Sequence, residues 1–222
     1  MSDLINNFYF IRVLFIVIVV LIGVSVIDTM RKKYSISLST KFDFKKIDLN
    51  FLIRMITLSF VLRILIEQAV CFLPIDKTIL NIPMNFWGVV LEIITTCLFA
   101  PIFEEVIFRF GLYEYLNKKF KSNIIIMLLT SIIFSAIHFY EIDGFIILLV
   151  ISLIWNYSYF KTDNLIYPII MHFIHNIYAV IGYIELNNIV YIVFGIICLI
   201  TYMLFKIKSS SKNTTAKIRT KI

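Results

Sequence analysis

Thr95-Thr96-Cys97-Leu98-Phe99-Ala100-Pro101-Ile102-Phe103-Glu104-Glu105-Val106-Ile107-Phe108-Arg109-Phe110 decides how this chain is read. Apolar sequence of membrane grade runs through it, yet it holds two adjacent carboxylates and a guanidinium. Each such group costs roughly 2.5–3.5 kcal/mol to place in a bilayer on insertion scales. The three histidines, His138, His172 and His175, also lie in apolar segments, and Asn176 follows the last. A chain that places acids, a guanidinium and imidazoles in hydrocarbon is using them. Spread over three helices, they suit hydrolytic chemistry better than packing.

Working outward, the 222 residues are 60% hydrophobic and only 16% charged, with mean hydropathy +0.93. Soluble domains carry roughly 45–50% apolar and about 25% charged residues. The composition therefore predicts an all-α polytopic membrane protein. Seven apolar stretches have about the ~20-residue length a span needs: roughly 8–27, 50–73, 86–103, 123–139, 144–160, 165–184 and 188–206. An eighth helical stretch, 104–117, carries the Glu-Glu pair as a kinked or interfacial extension of the third span, with Pro101 available to kink it. Residues 1–206 are expected to form one helical membrane domain with its motif-bearing core at about 95–185, and residues 207–222 a basic cytoplasmic tail.

The net charge of +7 is concentrated at connections. Loop 28–49 holds six basic residues, loop 118–122 three, loop 161–163 Lys161, and the tail from Lys206 six, while loops 140–143 and 185–187 hold none and loop 74–85 only Lys77. Cytoplasmic loops retain Lys and Arg, so this alternation is a topology signal and excludes nucleic acid as a partner. It predicts a multi-pass cell-membrane protein with the N-terminus outside and the C-terminus cytoplasmic, provided that 86–117 crosses once. Cys71, Cys97 and Cys198 have neither metal-ligand spacing nor an even-numbered framework and read as inert core residues. The apolar run Val13–Ile27 precedes its basic residues, apart from Arg12, which is not the order of a cleavable signal.

Glu105 and Arg109 are four apart on a helix and can pair. Glu104, about 100° away, is left as the spare carboxylate. The turn at Lys118–Ser122 makes 104–117 and 123–139 an antiparallel hairpin. Glu104 and His138 then lie level, roughly 24–27 Å from its tip at 1.5 Å per residue. Phe134, one turn before His138, walls the same face. His172 and Asn176 share a face at i,i+4, and His175 lies off it as a neighbour. A desolvated carboxylate with a histidine can activate water, and a second histidine with an amide can stabilise an oxyanion. Glu104, His138 and His172 are also the candidate ligands for a divalent metal such as zinc, although no H-E-x-x-H occurs.

Glu104-Glu105-x-x-x-Arg109, Phe134-x-x-x-His138 and His172-x-x-x-Asn176 occur in this order, with Ala100-Pro101 before the first. Together they resemble the CAAX-protease and bacteriocin-processing family, also called Abi or type II CAAX prenyl endopeptidases, over about residues 95–185. The resemblance implies an intramembrane endopeptidase. Glu104 and His138 would activate water, and His172 and Asn176 would form the oxyanion site. Glu105, Arg109, Phe134 and His175 would support them. The family usually has Gly directly after the motif Arg; here Phe110 intervenes before Gly111.

The expected partners are the lipid bilayer and a membrane-associated peptide or protein substrate. The short chain, rich in Ile, Asn and Lys, looks bacterial, so bacteriocin immunity or peptide processing is the expected setting. The alternatives are a non-catalytic membrane immunity or binding protein and a proton-coupled transporter, since buried Glu and His also relay protons. A transporter should show matching halves, and residues 1–94 carry no second motif set. Arg63-Glu67 reads as a local brace.

Overall fold

The computed structural model describes residues 2–70, 90–138 and 142–183, and every regular element among them is helical. The last predicted span, the basic tail, loops 74–85 and 185–187, Cys71 and Cys198 lie outside the described residues. We number the long helices α1 (Ser2–Tyr34), α2 (Leu49–Val70), α3 (90–117), α4 (Asn123–Ile137), α5 (Ile142–Thr162) and α6 (Ile166–Tyr183).

Three stretches, Val13–Tyr34, Leu49–Ala69 and Ile142–Thr162, are long and apolar enough to cross a bilayer, and α4 and α6 hold shorter apolar helices. Large apolar side chains stand exposed along α1 (Phe10, Leu14, Leu21), α2 (Val61, Leu65) and α4 (Ile124, Ile137). An outer surface of that kind suits lipid rather than water, so the chain is a membrane protein.

Residues 90–117, the described part of the stretch that holds the Glu-Glu pair, form one continuous helix, α3. It is not a uniform α-helix. Ile93–Phe99 and Val106–Tyr113 are π-helical, and the α-helical turn Ala100–Glu105 lies between them. Pro101 stands at the start of that turn, where the bonding pattern changes and a missing N–H costs least. Wide turns on both sides of the Glu-Glu pair absorb residues that a uniform helix would have spent on length. Uniform α-helices would put the two halves of the site at depths differing by up to ~15 Å at 1.5 Å per residue. The side chains nevertheless meet, with His172 Nε2 3.8 Å from Glu104 Oε2.

The described basic connections, 28–49, 118–122 and 161–163, gather at one end. Tyr34, ending α1, packs edge-on against Tyr115 of α3 with centroids 6.1 Å apart, and Lys118 Nζ lies 5.5 Å over the Tyr34 ring. The 35–48 connection, built on two short 3-10 turns, is tied to the α5–α6 turn. Leu165 N–H donates to the Lys41 carbonyl at 2.8 Å, Asn164 Nδ2 donates to the Asp43 carbonyl at 2.8 Å, and Tyr167 OH donates to the Lys46 carbonyl. Lys41 is nearly buried and donates to Glu114 at 2.7 Å and to Asp163; Tyr159 OH donates to the same Glu114 oxygen at 2.7 Å. Burial opposes the Lys41 charge, but Asp163 and Glu114 outweigh it and hold the ammonium above the ordinary lysine value. Asp48 caps α2 by accepting from Asn50 and Phe51 N–H.

Small polar residues let α4 and α5 approach closely. Ser131, Ser135, Ser152 and Asn156 are all buried, and Asn156 Nδ2 donates to Ser131 Oγ at 2.8 Å. Gly111 does the same for α1 against α3, because a Cβ there would stand 2.6 Å from Val26 Cγ1. The shifted glycine of the motif thus has a packing role in this chain.

Candidate active site

Glu104 and Glu105 leave the α turn of α3 in different directions. Glu105 is fully buried. Its Oε1 accepts from Arg109 Nη1 at 3.1 Å, and its Oε2 lies 3.0 Å from Arg109 Nε. The expected i,i+4 pair is therefore formed, and it reaches further than the spacing implied. Arg109 Nη2 donates to Ser152 Oγ at 2.9 Å on α5. Its guanidinium also lies over the rings of Phe134 and Trp155, at 5.0 and 5.6 Å. A carboxylate, a hydroxyl and two aromatic rings thus surround this buried cation.

Glu105 also receives His172. The imidazole Nδ1 is 2.9 Å from Glu105 Oε1. That carboxylate faces a guanidinium, so it is an acceptor, and Nδ1 carries the proton that bonds to it. His172 Nε2 is left on the side of Glu104, 3.8 Å from its Oε2.

His138 ends α4 beside the same oxygen, with Nε2 3.4 Å from Glu104 Oε2. Its Nδ1 donates to the Phe134 carbonyl at 2.8 Å, one turn back, which aims Nε2 at the carboxylate. Phe134 is fully buried and central: His138 lies against its ring at 4.5 Å and His172 meets it edge-on at 5.8 Å. Glu104 Oε2 is buried and accepts no hydrogen bond among the described residues. Buried carboxylate oxygens are rarely left that way without a functional reason.

The structure thus brings together Glu104, His138, His172, Glu105, Arg109 and Phe134. Asn176 and His175 are occupied elsewhere. Asn176 Nδ2 donates to the Thr96 carbonyl in the first π stretch at 2.7 Å, which uses one of its two N–H groups. His175 stacks on Phe60 at 4.2 Å and bonds through Nε2 to Ser59 Oγ at 2.8 Å. It also approaches Arg63, which is paired with Glu67 at 2.7 Å. This second polar cluster ties α6 to α2.

Glu104, His138 and His172 do not close on a common point as a metal cage does. Among the described residues, no group of three or more His, Cys, Asp or Glu side chains is arranged to hold an ion. Ser152 and Trp155 of α5 belong to the site but were not picked out from the sequence. A serine and a tryptophan three apart in an apolar helix look like ordinary packing.

With five ionisable side chains placed, the cluster's charge can be counted. Glu104, Glu105 and Arg109 together carry one net negative charge, so one further proton on an imidazole or on Glu104 makes it neutral. A neutral cluster is what burial favours.

Residues 86–178 match the family model described as type II CAAX prenyl endopeptidase Rce1-like. The match spans the α3, α4 and α6 motifs and agrees with the resemblance read from them. It is a family of CAAX proteases, which act on membrane-associated substrates. No curated protein and no solved structure matches the chain.

Proposed function

We propose that this protein is an intramembrane endopeptidase that hydrolyses a peptide bond of a membrane-associated peptide or protein, with water activated at Glu104. The observation that carries the reading is the buried Glu104 Oε2, free of hydrogen bonds and flanked by two imidazole nitrogens at 3.4 and 3.8 Å. Arg109 and His172 both bond to Glu105, and among the described residues no hydrogen bond holds Glu104 Oε2 in that way.

In the resting cluster the extra proton lies on an imidazole, and Glu104 is the base. Water beside Oε2 gives its proton to Glu104 as its oxygen adds to the scissile carbonyl carbon. The carbonyl π electrons move to oxygen. His172, protonated at Nε2, and the second N–H of Asn176 donate to that oxyanion. The proton held by Glu104 then passes by way of His138 to the amide nitrogen, the C–N bond breaks, and a carboxylic acid and an amine leave. Arg109 and Ser152 take no part in proton transfer; they keep Glu105 anionic and in place.

Within this reading the cellular role is peptide processing or bacteriocin immunity. Comparing membrane proteomes and secreted peptides from cells carrying wild type or Glu104→Gln tests it. Peptides present only with wild type are the expected result. A phenotype that survives both Glu104→Ala and His138→Ala would show that the protein works without catalysis, as a binding or immunity protein.

A further inference from the structure

The α5 residue Trp155 carries none of the three motifs, yet it touches more of the site than any motif aromatic except Phe134. It is almost fully buried. Its ring stacks on the His172 imidazole with centroids 4.4 Å apart and planes 24° from parallel. On its other contacts it meets Phe134 edge-on at 5.8 Å and His175 at 5.7 Å, and the Arg109 guanidinium lies 5.6 Å over it. Ser152, the acceptor for Arg109, is one turn earlier on the same face of α5.

Resting on the protease reading above, we infer that Trp155 is a positioning residue that fixes the plane of His172. The imidazole needs its Nδ1 on Glu105 and its Nε2 toward Glu104 at the same time. The Glu105 bond restrains one ring atom and leaves the ring free to swing about it. A flat face 4.4 Å away removes that freedom, and the Phe134 edge blocks the opposite tilt. Packing alone explains less. The indole N–H is buried and finds no acceptor among the described residues. A phenylalanine would fill much of the space without leaving a donor unpaired. A flat, wide ring is kept despite that liability, and the ring it lies against is His172.

The test needs no substrate in its first arm. The protein is labelled at histidine with a heavy nitrogen isotope in detergent micelles, and the ring-nitrogen signals are assigned with single His→Gln variants. Wild type should give His172 a sharp pair of signals typical of a ring protonated at both nitrogens, with Nδ1 donating to Glu105. Trp155→Leu should broaden that pair and shift it, with the His138 pair unmoved. Trp155→Phe should keep most of the wild-type pattern. Should Trp155→Leu not fold, Trp155→Met replaces it.

The second arm uses a peptide whose hydrolysis is abolished by Glu104→Gln. Trp155→Leu should lower kcat about 10–100-fold with KM within about twofold, and Trp155→Phe should restore most of it. Wild-type His172 signals in folded Trp155→Leu protein would overturn the inference, and so would equal disturbance of His138 and His172, which marks general loosening. If the signals change as expected but no peptide is cleaved by wild type, the protease reading fails and the placement of His172 stands.

Discussion

Glu104 and Glu105 are adjacent in sequence, and folding gives them different surroundings. Glu105 meets Arg109 and His172, whereas Glu104 Oε2 meets only imidazole nitrogens beyond good bonding distance. Their variants should therefore fail differently. Glu104→Gln is nearly isosteric and leaves the Glu105–Arg109 pair intact, so it should be normally abundant and inactive. Glu105→Gln strands a fully buried guanidinium, a change that typically costs about 3–5 kcal/mol. It should lower membrane abundance and melting temperature in detergent, and adding Arg109→Met should recover part of the loss. An unstable Glu104→Gln beside a stable, inactive Glu105→Gln would reverse the two roles. The pair itself could be read from i,i+4 spacing, and the level of Glu104 with His138 from counting residues to the hairpin turn. That Glu105 also holds His172 could not, because spacing along one helix says nothing about which side chain arrives from another. Asn176 was expected beside His172 on one face; its bond to Thr96 depends on a carbonyl in a π-helical stretch.

At the scale of elements, the helices were legible from apolar run length and their connections from charge. The π-helical stretches of α3 were not. A residue sequence that fits an α-helix fits a wider turn almost as well, and tertiary contacts choose between them. Gly111 belongs to this scale. Gly111→Ala should lower the melting temperature, since its Cβ would press on a stiff valine, with a cost of about 1–3 kcal/mol for overpacking. Val26→Ala in the same chain should relieve it; no recovery would mean that the glycine serves backbone shape instead. The 35–48 connection makes a separate prediction. Lys41 is held above the ordinary lysine value of 10.5, so its stabilisation is fully present below that value and is lost as pH rises through the folded value. Lys41→Met should melt lower than wild type at neutral pH, by roughly 1.5–3 kcal/mol for lost bonds to charged groups. It should also lack the part of the alkaline decline that wild type shows. Parallel alkaline curves for the two proteins would remove Lys41 from the account.

Taken as a molecule, the chain turns its basic connections to one end and holds its acids and imidazoles between helices below them. The contacts among Tyr34, Tyr115, Lys41, Glu114, Asp43 and Asn164 join the ends of α1 and α3 and the 35–48 connection to the α5–α6 turn. Cysteines placed at Lys45, Phe120 and Thr162 should accordingly react with an impermeant reagent from the same side of the membrane. Labelling of Phe120 from the opposite side would contradict a single crossing by α3. That loops 28–49, 118–122 and 161–163 share one end could be foreseen from their basic residues, because charge placement is written in the sequence itself. Substrate choice was not foreseeable, since residues 1–94 carry no motif. The most direct measurement of the central claim is incorporation of heavy oxygen. Wild-type and Glu104→Gln protein are incubated in lipid nanodiscs with membrane peptides in heavy-oxygen water, and new C-termini are read by mass spectrometry. Labelled C-termini should appear with wild type and vanish with Glu104→Gln at equal protein levels; equal labelling by both would contradict an endopeptidase that works through Glu104.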